Sequence, residues 1–193
     1  DVIGFDEQLL EIITSEKRIL PHLHLSLQAG DNMILKRMKR RHLREDAINL
    51  CSEIRKKRKD MAFGADLITG FPTETDEMFL NTMKIVDECN LDWLHVFPFS
   101  PRPGTPAAKM PQNKKEVAKE RARILRSKGE EIKKLHLGSL VGKEVEVFVE
   151  KNNGGHTNQF APVKLEDDFL PGSSVIAKII KSDSNFVYGK SIN

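Results

Sequence analysis

Apolar positions in the first part of the chain follow two rhythms in turn. Residues 5–12 space them as a helix does. The stretch 21–31, PHLHLSLQAGD, then alternates strictly, with Leu23, Leu25 and Leu27 on one side and His22, His24, Ser26 and Gln28 on the other. A period of two belongs to a strand, and unlike sides mean unlike surroundings. Asp31 is a good N-cap for a helix carrying Ile34, Leu35 and Met38, and residues 43–57 predict a second helix with Ala47, Leu50, Cys51 and Ile54 in one stripe. MAFGADLITG at 61–70 predicts another strand. Thr73 or Thr75 then caps a helix running to about Asn90, and WLHVFPF at 93–99 predicts a third strand, closed by a Pro- and Gly-rich loop. Strands alternating with helices of this length imply βαβ units and parallel pairing.

A long charged helix is predicted over 113–137, with Val117, Ile124, Leu125 and Ile132 as a sparse apolar side. Beyond Gly138 the rhythm changes. Val145, Val147 and Val149 alternate with Glu144, Glu146 and Glu150, Asn152, Asn153, Gly154 and Gly155 form a hairpin signal, and strands are expected over 157–165, 174–180 and 186–190. So many short strands in so little chain imply a small closed antiparallel barrel, a shape often used on nucleic acids. The expected division is a first domain at 1–137 and a second at 138–193.

The polar side of the first strand narrows the fold class to one kind of α/β architecture. In an open doubly wound sheet helices cover both faces, and the strands read apolar throughout. In a β/α barrel one face meets the helices and the other lines the lumen, with the active site at the C-terminal mouth. Leu23, Leu25 and Leu27 would then pack under helices, with Ser26 and Gln28 at the mouth. Gly64, Asp66, Ile68 and Gly70 form the corresponding face of the second strand, and Trp93, His95, Phe97 and Phe99 that of the third. An isolated carboxylate in an apolar strand is costly unless partnered, so Asp66 reads as functional. His22, His24 and His95 read as lumen-filling.

Composition adds limits. The 193 residues are 39% hydrophobic and 31% charged, and no apolar run approaches the roughly 20 residues of a membrane span. The opening residues show no secretory pattern and look like the inside of a longer protein, so a fragment of a cytoplasmic protein is expected. Cys51 and Cys89 each sit on an apolar helical stripe and read as buried, reduced thiols. No Cys, His or acidic cluster has metal-ligand spacing. Between Lys36 and Lys59 eleven basic residues face three acidic ones, an excess suited either to phosphates or to a solvated helix face.

Three segments carry a resemblance: LPHLHLSLQAGDNMILKRMKR at 20–40, GADLITGFPTET at 64–75 and LHVFPFSPRPGTPAAKMP at 94–111. They resemble the second half of the radical S-adenosylmethionine methylthiotransferases, most closely the branch acting on N6-threonylcarbamoyladenosine beside the tRNA anticodon. Ser26, where related branches usually have Pro, favours that branch. The resemblance implies half of a partial β/α barrel followed by a TRAM/OB-like RNA-binding barrel. It places Gln28 and Asp66 near the ribose and adenine of S-adenosylmethionine, Arg40 on the methionyl carboxylate and Ser26 in the same mouth. A guanidinium fork suits a carboxylate, and amide or carboxylate acceptors suit ribose hydroxyls. Thr73 stands where Gly is usual, so the turn is expected to avoid positive φ.

The resemblance also implies two 4Fe-4S clusters, each held by three cysteines that this chain lacks. The chain alone is therefore expected to be inactive, with no metal of its own and no catalytic residue assigned. Its expected partners are a tRNA anticodon stem-loop, an electron donor and an N-terminal part of the same protein. Lys151, Lys164, Lys178, Lys181 and Lys190 decorate the later strands, and Phe160, Phe186 and Tyr188 suit either base stacking or a barrel core. Rival readings are a methylthiotransferase acting on another tRNA base or a ribosomal protein, and a stand-alone RNA-binding module without catalysis.

Overall fold

The computed structural model describes residues 2–151 and 153–192. Asp6 opens helix α1 (Glu7–Ser15) by accepting from the Leu9 amide at 2.8 Å, which satisfies a donor the first turn leaves unpaired. Strand β1 (His22–Gln28) follows, then the short helix α2 (Asn32–Arg37), whose Asp31 cap accepts from the Met33 and Ile34 amides. Helix α3 (Arg44–Lys57), strand β2 (Ala62–Thr69), helix α4 (Asp76–Glu88) and strand β3 (Trp93–Pro98) complete the alternation. Of the two threonines offered as caps for α4, Thr75 accepts from the Met78 amide.

The three strands pair in the order β1-β2-β3, all parallel. Leu25, Leu27, Phe63, Ala65 and Leu67 are buried with Ala47, Leu50, Ile54, Ile85 and Val86 of the helices. On the other face His24, His95 and Phe97 are exposed and Asp66 and Ile68 half-buried. The sheet is therefore covered on one side, as a barrel wall is, and among the described residues nothing pairs with the outer edges of β1 and β3.

Helix α5 (Lys115–Ser139) runs past the boundary expected at 137. Ala122 and Leu125 pack in the core under the sheet, whereas Leu137, with Leu140, packs in a second core beyond it. The apolar side expected of this helix does face the core, with Leu125 buried in it and Ile124 and Ile132 packed against it, and Ala118, Arg121 and Ala122 are buried beside them.

The second core fills a closed barrel of β4 (Glu144–Lys151), β5 (Gly154–Thr157), β6 (Pro162–Leu165), β7 (Ser174–Ser182) and β8 (Val187–Ser191). Closure runs β4-β5-β6-β8-β7, and β6 pairs with β8 in parallel, so the barrel is mixed rather than purely antiparallel. The strand expected over 157–165 divides in two. The Thr157 hydroxyl accepts from the Gln159 and Ala161 amides, and Phe160 adopts φ +68°, a local turn that takes the backbone out of the ladder. Asn152 of the expected hairpin lies outside the described residues. Gly155 is required by contact: a Cβ there would stand 2.0 Å from the Phe148 carbonyl oxygen.

The two cores are joined by specific contacts. Trp93 Nε1 donates to the Gln159 carbonyl at 3.2 Å, Gln159 Nε2 donates to the Asp60 carbonyl, and Phe160 is stacked between His22 and His156 at 5.0 and 4.6 Å. No helix among the described residues is long and apolar enough to cross a membrane.

Candidate functional site

At the C-terminal ends of the strands two adjoining clefts open on the uncovered face, of about 490 and 290 Å³. Gln28, Ile68, Phe99, Thr105 and Ala107 border both; Asp66 and Arg102 border the larger, and Arg37 and Arg40 the smaller. Of the side chains named from the sequence, Gln28 thus borders both clefts, Asp66 one and Arg40 the other. Ser26, half-buried on the same strand face, borders neither cleft.

Local backbone puts them there. Gln28 takes φ +71° where the register with β2 shifts. Lys39 takes φ +56° and the Arg40 amide donates to the Leu35 carbonyl at 2.9 Å, so α2 ends abruptly and delivers Arg40 to the cleft. The turn after β2 corrects the sequence expectation, since Thr73 adopts φ +67° instead of avoiding that region. The position keeps the left-handed shape that glycine accepts freely, and a β-branched residue carries the strain. Arg37 braces it by donating to the Thr73 carbonyl at 3.4 Å.

Beneath that turn lies an ion pair absent from the sequence reading. The Gly70 amide donates to Glu74 Oε1 at 2.8 Å, and Arg121 Nη1 donates to the same oxygen at 2.7 Å. The Glu74 carboxylate is fully buried, and burial raises its pKa above the ordinary value against the opposing pull of Gly70 and Arg121. Gly70 has φ +70°, and a Cβ on it would meet the Ala118 Cβ at 2.2 Å. The only prior signal was an Arg on the inward stripe of α5.

Asp66 is partnered. Its Oδ1 accepts from His24 Nε2 at 2.9 Å, and His95 Nδ1 lies 3.5 Å from the same atom. The three come from three neighbouring strands, so sequence spacing could not reveal them as a group. His22 sits lower on the same face, with Nε2 buried and unbonded. Burial, then the nearby His24, lowers its pKa. Below the trio a third cavity of about 300 Å³ separates the sheet from the small barrel, bordered by His22, His24, His95, Arg126, Lys133 and Phe160 among others.

Part of the basic segment is structural. Arg44 bonds the Gly30 carbonyl and Glu88. Arg55 bonds the Cys89 and Asn90 carbonyls and Asp92, and Arg58 bonds the Ile13 and Ile19 carbonyls. Fewer charges are therefore available for phosphates than the count implied. Cys51 and Cys89 are buried in the core. The Cys89 thiol is held far above its usual range by its contact with Cys51 and by burial, which leaves it unreactive.

On the small barrel, register aligns Lys151 with Gly154, Gly154 with Lys164, Lys164 with Tyr188 and Tyr188 with Lys181. Lys151, Lys164 and Lys181 thus stand in one row across the strands, all exposed. Lys164 lies over Phe186 at 4.3 Å and Lys181 over Tyr188 at 4.6 Å. Lys178 is in the neighbouring row, opposite Lys190.

Residues 2–86 match the family model of the Radical SAM superfamily. The chain is 47% identical over 191 residues to the threonylcarbamoyladenosine tRNA methylthiotransferase MtaB of Rickettsia prowazekii, covering 97% of this chain and 44% of that protein. It is 38% identical over 154 residues to the tRNA-2-methylthio-N(6)-dimethylallyladenosine synthase of Ehrlichia chaffeensis, covering 79% and 35%. The chain thus spans less than half the length of these relatives. Among solved structures, the radical SAM enzyme coproporphyrinogen III oxidase (HemN) of Escherichia coli aligns with the whole chain and half of its own, at TM-score 0.54 and 18% identity; at that identity the likeness concerns the fold.

Proposed function

We propose that this chain, which matches the radical SAM superfamily model over residues 2–86 and is similar to tRNA methylthiotransferases, is part of an enzyme that methylthiolates N6-threonylcarbamoyladenosine next to the tRNA anticodon. The observation carrying this reading is that Asp66 and Arg40 border adjoining strand-end clefts that share Gln28. Arg40 binds the carboxylate of S-adenosylmethionine, where a guanidinium fork is matched in charge and geometry. Gln28 and Asp66 accept from or orient the ribose, Asp66 through the Oδ2 left free by the histidines. Ser26 stands behind them. Phe97 and Phe99 supply apolar walls for the adenosine.

A bound cofactor of this class supplies the radical that attacks an unactivated C–H bond, while the protein positions it and excludes water. The residues present do not fit an iron–sulfur cluster: both cysteines are in the core, Cys89 protonated against Cys51. In this reading cluster ligands, the electron donor's docking site and the rest of the barrel wall come from the remaining length of the protein, and the chain by itself is inactive.

Residues 138–193 serve as the RNA-binding unit. Lys151, Lys164 and Lys181 in their row, with Lys178 beside them, hold the phosphates of an anticodon stem-loop, and Phe186 and Tyr188 offer stacking faces.

Two measurements test these assignments. In calorimetry of the longer protein with S-adenosylmethionine, Arg40→Ala should weaken binding by about 1.5–3 kcal/mol, as expected for a charge-assisted hydrogen bond, and Asp66→Ala should weaken it too. Unchanged affinity in both would remove the cofactor assignment. Filter binding of an anticodon stem-loop should show a logarithmic salt slope that falls by about 1 for each of Lys164→Ala and Lys181→Ala; a slope untouched by both would move the RNA surface elsewhere. Mass analysis of the tRNA nucleosides would separate threonylcarbamoyladenosine from the dimethylallyladenosine named for other relatives.

A further inference from the structure

The trio at the centre of the uncovered face has a chemistry that cofactor binding does not use. His24 Nε2 and His95 Nδ1 both address Asp66 Oδ1, at 2.9 and 3.5 Å, and one donor atom from each residue lies within 4.8 Å of the others. First-row metal bonds to nitrogen and oxygen of about 2.0–2.2 Å place neighbouring ligands roughly 3–3.5 Å apart. Two edges of the ligand triangle already have that length. We propose that His24, Asp66 and His95 form a binding site for a divalent transition-metal ion, with the remaining coordination positions open to the clefts on either side.

The donor set selects the class of ion. Two neutral imidazoles and one carboxylate suit zinc, cobalt(II) or iron(II), whereas magnesium and calcium prefer oxygen alone. One negative charge faces two positive ones, so the ion is left with a net charge for an exogenous ligand. The site is rigidly based, since each ligand stands on a different strand of one parallel sheet, with Asp66 directly paired to His95 in register. Gly64 is part of it. A Cβ there would stand 2.8 Å from His24 Nδ1, so the missing side chain lets the imidazole lie over β2.

The surroundings are compatible. Side-chain exposures of 33%, 31% and 57% for His24, Asp66 and His95 leave an entry path and room for water ligands. Of the cationic side chains in the cavity below, Arg126 donates to the Val96 carbonyl and Lys133 to Asn185, so neither is bonded to Asp66. The ion would take Asp66 Oδ1, whereas Oδ2, with no partner among the described residues, faces the proposed cofactor.

Equilibrium dialysis of the 193-residue chain against zinc should retain about one ion per chain, and cobalt(II) should give a visible absorption band of histidine coordination. Asp66→Asn, which keeps the side-chain shape, and His95→Ala, the most exposed ligand, should each abolish the band with an unchanged far-ultraviolet dichroism spectrum. Gly64→Ala should weaken binding roughly tenfold, as supporting residues do. His156→Ala, altering a histidine on the small barrel, should leave the band intact. Absence of a stoichiometric ion, or a band that survives both Asp66→Asn and His95→Ala, would overturn the proposal and leave the trio a hydrogen-bonded cluster.

Discussion

Thr73 shows how a single residue can depart from what its position favours. It holds φ +67°, a region where a β-branched side chain costs on the order of 1 kcal/mol or more. The turn keeps its shape because the Gly70–Glu74–Arg121 bonds and Arg37 fix the segment on both sides. Thr73→Gly should therefore stabilise the protein by about 0.5–1 kcal/mol, strain relief exceeding the added chain entropy. Thermal denaturation should show the midpoint rising, and a fall would mean that the threonine side chain is needed there. The sequence exposed the odd residue in the turn but suggested the wrong resolution, because it does not show which partners pin a backbone.

Among the elements, α5 is the one whose role was least legible. It seats Arg121 against Glu74 with side-chain exposures of 8% and 0%, an inward charge that its sparse apolar side did not announce. Removing one member of such a pair strands the other charge. Arg121→Met should destabilise by about 3–5 kcal/mol, and adding Glu74→Gln should recover much of that loss, as read by denaturant unfolding. If the double variant is no better than the single one, the pair is not the unit that holds α5 to the turn. By contrast β1, α3 and β2 were readable, because alternation and helical stripes report directly which side of an element meets the core.

Across the whole molecule, the half-barrel and the small barrel meet through the stack of His22, Phe160 and His156. His22 has a pKa below the ordinary 6.5, chiefly through burial and then through His24. Protons therefore bind the unfolded or undocked form first. The contribution of this contact is complete above pH 6.5 and is lost as pH falls from there through the depressed value. Melting profiles should show stability declining below pH 6.5, with the decline reduced in His22→Phe; identical profiles would show that His22 is not the group responsible. Among the described residues the outer edges of β1 and β3 are unpaired, and unpaired edges invite further strands.

Legible in the residues alone were the strands with two unlike faces, the starts of the helices, the set of short strands in the later third of the chain and the family motifs. Those properties are local, repeating every two or every 3.6 residues, and need no knowledge of distant neighbours. Folding in three dimensions sets the rest: His24, Asp66 and His95 converge, three lysines share a row, Arg44, Arg55 and Arg58 hold backbone carbonyls, and one strand pair in the small barrel is parallel. Each of those depends on register between segments remote in the chain, which is set by packing of the assembled sheet and leaves no periodic trace along it.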